Sequence, residues 1–235
     1  MFPAFNLYHN TYKVKSTNFL NSLHTTFTLS KPILVLKFGT ASITTPKGEL
    51  DEIVIGEIAR QVALIHKDYN LVIVSSGAVA AGKKFLKNYG GTLNEKKAAA
   101  SIGNPLLLNT YAKYFLPHGI AIAQSLCERH HFSNRNQFLQ LKRTYEELWS
   151  SDIIPIANEN DVVSSLELKF SDNDELATLI AAGFGASQIL FSTSVPGVLD
   201  SSGQVIPELD TSDKKVLLLA NKEKSASGLG GMTSK

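Results

Sequence analysis

The chain has 235 residues, 43% hydrophobic and 19% charged, with a formal net charge of +2. That length supports one sizeable buried core, and a balance so near neutrality excludes the basic footprint of a nucleic-acid binder. A single cysteine, Cys127, excludes an internal disulfide framework and a multi-cysteine zinc site, and no apolar run approaches the roughly 20 residues that a membrane-spanning helix needs.

In chain order, residues 1–30 stand apart. No acid precedes Glu49, and Asn6 to Ser30 is rich in Asn, Thr and Ser, with Lys13 and Lys15 as its only strong charges. An acid-poor, Ser-rich segment fits an organellar targeting peptide, but this one lacks Arg and a compact apolar core. Residues 1–30 are therefore read as a poorly ordered extension of a cytoplasmic protein, and residues 31–235 as its domain.

From Lys31 onward, short apolar runs alternate with amphipathic ones. Strands are expected at Ile33–Phe38, Leu71–Ser75, Ile120–Gln124, Ile153–Asn158 and Gln188–Thr193. Helices are expected at Glu52–His66, Ala78–Leu86, Glu95–Phe115, Asn136–Trp149 and Asn173–Gly183. In Glu52–His66 the spacing of Ile55, Ile58, Val62 and Ile65 carries the assignment. Val198 to Ile206 brackets Asp-Ser-Ser-Gly, a hairpin signal. Continuously apolar strands alternating with helices predict a mainly parallel sheet covered on both faces, a three-layer αβα sandwich. Ligands of such sheets lie beyond the carboxyl ends of the strands, so the chemistry should follow the strands.

Five segments meet that expectation. Lys37 ends an apolar strand and precedes the turn Gly39-Thr40; it reads as an ammonium aimed at a phosphate, or as an edge lysine reaching water. Ser75-Ser76-Gly77-Ala78 opens a helix after a strand, which suits backbone donors to an anion or a tight turn with Ser76 as N-cap. Asn158-Glu159-Asn160-Asp161 offers donors and carboxylates, or only an Asn/Asp-rich turn. Asn173-Asp174-Glu175 puts acids in a first helical turn, for capping or for organising cations. Gly228 to Lys235 is a glycine-rich loop ending in a lysine.

The order Val-Leu-Lys-Phe-Gly-Thr, Val-Ser-Ser-Gly-Ala-Val-Ala-Ala-Gly, Ala-Asn-Glu-Asn-Asp, Ser-Asp-Asn-Asp-Glu-Leu and Gly-Gly-Met-Thr-Ser-Lys resembles the amino acid kinase family over Lys31 to Lys235. Within it, the Ser-Gly-Ala turn with the Asn-Glu-Asn-Asp and Asp-Asn-Asp segments is similar to the branch that phosphorylates glutamate. The resemblance implies ATP-dependent transfer to the side-chain carboxylate of L-glutamate, giving glutamyl 5-phosphate at the first step of proline biosynthesis. Its cofactors would be ATP and Mg²⁺, the ion without an assigned side-chain ligand.

By the same resemblance, Lys37, Asp174 and Lys235 would be catalytic, with Asp174 organising the two lysines. Gly39, Thr40, Ser76, Gly77 and Ala78 would line the substrate side, and Asp161 and Asn173 would hold glutamate. Gly39, Thr193, Ser194, Gly230, Gly231, Met232 and Thr233, with both lysines, would surround ATP. Thr193-Ser194 stands where the family usually carries Thr-Asp. Proline as feedback inhibitor, glutamyl phosphate reductase as the downstream enzyme, and self-association are further implications. The family continues beyond the last lysine, so the resemblance implies a domain lacking its C-terminal part. The alternatives are another amino acid kinase, acting on acetylglutamate, aspartate or uridylate, and a copy that binds glutamate and nucleotide without turnover.

Overall fold

Ile33–Phe38 is apolar except at Lys37 and forms β1, buried along its whole length between two neighbouring strands of the sheet. Asn70–Ser75 (β2) and Ile154–Glu159 (β4) are likewise buried throughout, while Ile122–Cys127 (β3) and Gln188–Ser192 (β5) are mostly half-buried. The order is β3-β4-β2-β1-β5 and every pairing is parallel. The burial follows from position: strands covered on two faces and two edges must be apolar, and edge strands need not be. The computed structural model describes residues 31–163 and 173–193, together with scattered positions between 197 and 208. The N-terminal extension, Ser194 and the glycine-rich segment to Lys235 lie outside the described residues.

Alternation along each strand sends side chains to two separate cores. On one face Leu34, Leu36, Phe38, Leu71, Ile73, Ile154 and Ile156 meet helices α2 (Glu52–Ile65) and α4 (Leu93–Phe115), through Ile55, Ile58, Val62, Leu107, Tyr111 and Phe115. On the other face Ile33, Val35, Val72, Val74 and Ala157 meet α6 (Arg135–Ser150) and α7 (Asn173–Phe184), through Tyr145, Trp149, Leu176, Ile180 and Phe184. Each fully buried aliphatic side chain of this kind contributes about 2 kcal/mol. Three layers result, as the alternating pattern predicts.

Local sequence fixes the helix starts. Asp51 accepts from the N–H groups of Ile53 and Val54, Asn134 from those of Asn136 and Gln137, and Thr92 with Glu95 forms a capping box ahead of α4. Three further short helices are α1 (Thr40–Ile43), α3 (Ala78–Gly82) and α5 (His130–Ser133). Two hydrogen bonds, from Asp200 N–H to the Gln204 carbonyl and from Ile206 N–H to the Val198 carbonyl, tie the two arms of the expected hairpin.

Three expectations shift. The helix expected over Ala78–Leu86 is α only to Gly82 and then tightens to a 3₁₀ turn at Lys83–Phe85. The change falls where Gly82 abuts α4: a β-carbon there would lie 1.9 Å from the Ala99 carbonyl oxygen. The third strand runs from Ile122 to Cys127 rather than from Ile120 to Gln124, because its ladder follows β4 residue for residue to the Cys127–Glu159 pair. Serine and cysteine read poorly as strand residues, yet an edge strand accepts them. Ser76 is not an N-cap; Gly77 occupies that place without a side-chain hydrogen bond.

Candidate active site

Lys37 is the one charged residue of β1 and is only 8% exposed. A buried ammonium needs a partner, and it finds Asp174, 3% exposed in the first turn of α7: Nζ lies 2.5 Å from Oδ1. The side chain leans toward the end of its strand, since a β-carbon on Gly39 would stand 3.3 Å from Nζ. The reading of Lys37 as an edge lysine reaching water is thereby corrected. The ammonium sits over the turn after β1, held by a carboxylate from a different layer.

The turn after β2 is shaped by glycine. Gly77 has φ of +101°, a left-handed conformation that side chains resist, and its α-carbon faces Ile43 of α1. Beneath it, α3 and α4 meet backbone to backbone. A β-carbon on Gly103 would lie 1.7 Å from the Ala78 carbonyl oxygen, and one on Gly82 lies as close on the Ala99 side. This packing holds Ser76-Gly77-Ala78 against α4. Since α3 has only five residues, its dipole is short, and isolated backbone amides are what the turn offers an anion.

One amide joins three of the predicted segments. Asn173 Nδ2, at the start of α7, lies 2.9 Å from Ser76 Oγ, 3.3 Å from the Ser75 carbonyl oxygen and 2.9 Å from Asn158 Oδ1. It thus links the ends of β2 and β4 to α7, beside the Lys37–Asp174 pair. Asn158 and Glu159 are the buried last residues of β4 rather than parts of a polar turn. Asn160 and Asp161 follow the strand, and Asn160 donates to Glu128 Oε1 at 3.1 Å. Thr193 lies one residue past the Phe38–Ser192 pair, hence beside the Gly39 turn, where Ser42 Oγ donates to the Ser192 carbonyl.

Lys37, Gly39, Ser76, Gly77, Ala78, Asn158, Asn173 and Asp174 therefore gather at one end of the sheet. Sequence reasoning passed over three neighbours. Asn104 of α4 accepts a hydrogen bond from Asn158; an asparagine on the buried side of an alanine-rich helix was its signal. Glu128 and Arg129 follow β3, and Arg129 reaches Glu175 of α7 at 2.5 Å. Next to them His131 Nδ1 accepts from the Glu128 N–H at 2.9 Å. Burial, and then the adjacent His130, push its imidazole below the ordinary value, against the pull of Glu128.

A doubly covered parallel sheet with a buried lysine–carboxylate pair and a glycine turn at its carboxyl end defines an α/β protein of the class whose ligands lie beyond the carboxyl ends of the strands. The chain belongs to the amino acid kinase family: the family's model matches residues 32–235. Among curated relatives, glutamate 5-kinase of Kosmotoga olearia is 37% identical over 206 residues, 86% of this chain and 57% of its own length. Glutamate 5-kinase of Oceanobacillus iheyensis is 35% identical over 217 residues, 88% of this chain and 58% of that protein. Glutamate 5-kinase 1 of Bacillus licheniformis is 37% identical over 218 residues, again 88% of this chain and 59% of that one. The chain thus spans less than two thirds of these relatives. The crystal structure of UMP kinase from Ureaplasma parvum matches with a TM-score of 0.51 at 16% identity over 73% of each chain, which establishes a shared fold.

Among the described residues no helix is long and apolar enough to cross a membrane, and no group of three or more His, Cys, Asp or Glu side chains is placed to hold a metal ion.

Proposed function

We propose that this chain binds L-glutamate and ATP and transfers the terminal phosphoryl group to the glutamate side-chain carboxylate. The observation that carries the reading is the Lys37–Asp174 pair beside the Asn173–Ser76 contact. A cation and polar donors stand where two anions must meet. A glutamate carboxylate is already ionised at neutral pH, so the reaction needs no general base. Its barrier is one of bringing carboxylate and phosphate together and neutralising charge.

In this reading Lys37 faces the transferring group, and Asp174 holds the ammonium in place without being consumed. The oxygen of the carboxylate attacks phosphorus, the bond to the bridging oxygen breaks, and the leaving group departs as ADP. The backbone N–H groups of the Gly39 and Gly77 turns donate to the oxygens that gain charge. Asn173 and Asp161 bind the amino-acid end of the substrate, and Ser76 its carboxylate side. Mg²⁺ would arrive with the nucleotide, neutralising phosphate charge. The product is an acyl phosphate, so the next enzyme must be one that reduces or otherwise consumes it, in keeping with a glutamyl phosphate reductase. Proline, which shares the α-carboxylate and amine, would compete near Asp161 and Asn173.

The test is a hydroxylamine trap with glutamate, ATP and Mg²⁺. Hydroxylamine converts an acyl phosphate to a coloured hydroxamate. The expected outcome is glutamate-dependent colour. A folded chain that binds ATP and phosphorylates aspartate or UMP but not glutamate would overturn the assignment. Binding of both ligands without colour would identify a chain that binds without turnover.

A further inference from the structure

A line of hydrogen bonds runs from the middle of α4 to the turn after β2. Asn104 is 6% exposed and follows Gly103, the residue that lets α4 touch α3. Its Oδ1 accepts from Asn158 Nδ2 at 3.1 Å. Asn158 Oδ1 accepts from the Glu159 backbone N–H at 2.9 Å and from Asn173 Nδ2 at 2.9 Å. Asn173 Nδ2 then meets Ser76 Oγ at 2.9 Å.

The direction of this line follows from one group. A backbone N–H can only donate, so the Asn158 atom facing Glu159 must be oxygen. Asn158 therefore turns its nitrogen to α4, and Asn104 must answer with oxygen. By the same logic Asn173 must show nitrogen to Asn158. Its own Oδ1 is then a buried acceptor with no hydrogen-bond partner among the described residues. A buried unmade hydrogen bond is costly, and an ammonium or N–H of a bound molecule would satisfy this one.

We propose that Asn104 is a positioning residue for the amino-acid substrate, acting through Asn158 on the orientation of the Asn173 amide. Remove its oxygen and the Asn158 nitrogen loses its acceptor. Only the Glu159 N–H then orients that amide. Asn158 then shifts more freely about that one bond, and Asn173, still held by the Ser75 carbonyl and Ser76 Oγ, loses a fixed third anchor, so the acceptor offered to the substrate ammonium is less sharply placed. Asn104 itself touches no substrate. This rests on the glutamate reading above.

Calorimetric titration of the full chain with glutamate, and separately with ATP, tests it. Asn104→Leu keeps the branched four-atom shape at a larger volume and removes the oxygen; Asn104→Asp keeps an acceptor oxygen at nearly the parent's size. The leucine variant is expected to weaken glutamate binding about tenfold, the worth of one buried hydrogen bond, with ATP binding unchanged. The aspartate variant should stay within about threefold of the parent, since it keeps the acceptor. A merely structural role would lower the urea midpoint but leave glutamate affinity unmoved in the folded protein. That result, in the leucine variant or in Asn104→Ala should leucine not fold, overturns the inference. A parent chain that binds ATP but no glutamate overturns instead the reading on which it rests.

Discussion

Lys37 and Asp174 show how far a residue's role depends on its partner. The pair is buried and 2.5 Å apart, so truncating one member takes the buried counter-charge from the other in a medium that solvates charge poorly. Lys37→Met is expected to lower stability by about 3–5 kcal/mol, because the Asp174 carboxylate loses its ammonium. The double variant Lys37→Met with Asp174→Leu should regain most of that loss, since apolar replacements of a buried pair are often nearly neutral. Neither variant should form hydroxamate. Urea denaturation gives the stabilities, and a double variant no more stable than the single one would show that the charge pair is not the source. The pairing itself was half legible. A lysine in an apolar strand announces that something anionic must meet it, and the acids opening α7 announce cations. Only the resemblance, which has Asp174 organising the two lysines, brings them together; composition and spacing do not, because β1 and α7 are joined only through the closed sheet.

At the scale of elements, the sequence reads well where periodicity is strong. The strands at Ile33 and Leu71 and the helices at Glu52 and Asn136 were legible because burial on two faces leaves continuous apolar runs, and an amphipathic helix leaves a stripe. What was not legible is contact between backbones. Gly82 and Gly103 look like ordinary helix glycines, which cost rather than contribute. In the fold they let α3 and α4 approach until no β-carbon fits. Gly103→Ala is therefore expected to destabilise the chain by about 2–4 kcal/mol, more than a helix propensity gain of about 1 kcal/mol can offset. Because α3 carries the Ser76-Gly77 turn, the same change should weaken glutamate binding more than ATP binding. Thermal unfolding and calorimetry on one preparation check both. An alanine variant as stable as its parent would mean the two helices part without cost. The 3₁₀ turn after Gly82 and the extension of β3 to Cys127 have the same origin: tertiary neighbours, not local preference, set those boundaries.

At the scale of the molecule, the site draws on the ends of β1, β2 and β4 and on one helix from each outer layer. None of these ends is adjacent in sequence, so the candidate site exists only once the sheet is complete. Opening it requires separating central strands that carry both cores. Strands β1, β2 and β4 are buried throughout, whereas β3 and β5 are half-buried edges. Hydrogen exchange should accordingly be slowest in the three central strands, through global unfolding, and faster in the two edges, through local opening. A ligand that binds only the assembled site stabilises the global state by mass action, by about 2.7 kcal/mol at a hundredfold excess over its dissociation constant. Saturating glutamate should therefore slow the amides of Val35, Val72 and Ala157 by about a hundredfold, the rate equivalent of that energy, although these side chains face away from the strand ends into the α6–α7 core. Amides that open locally in β3 and β5 should slow much less. Protection confined to the turns at Gly39 and Gly77, with the central strands unchanged, would mean that the site can form and dissolve without the sheet. The parallel topology, with each strand end delivered by a separate crossover, argues against that independence.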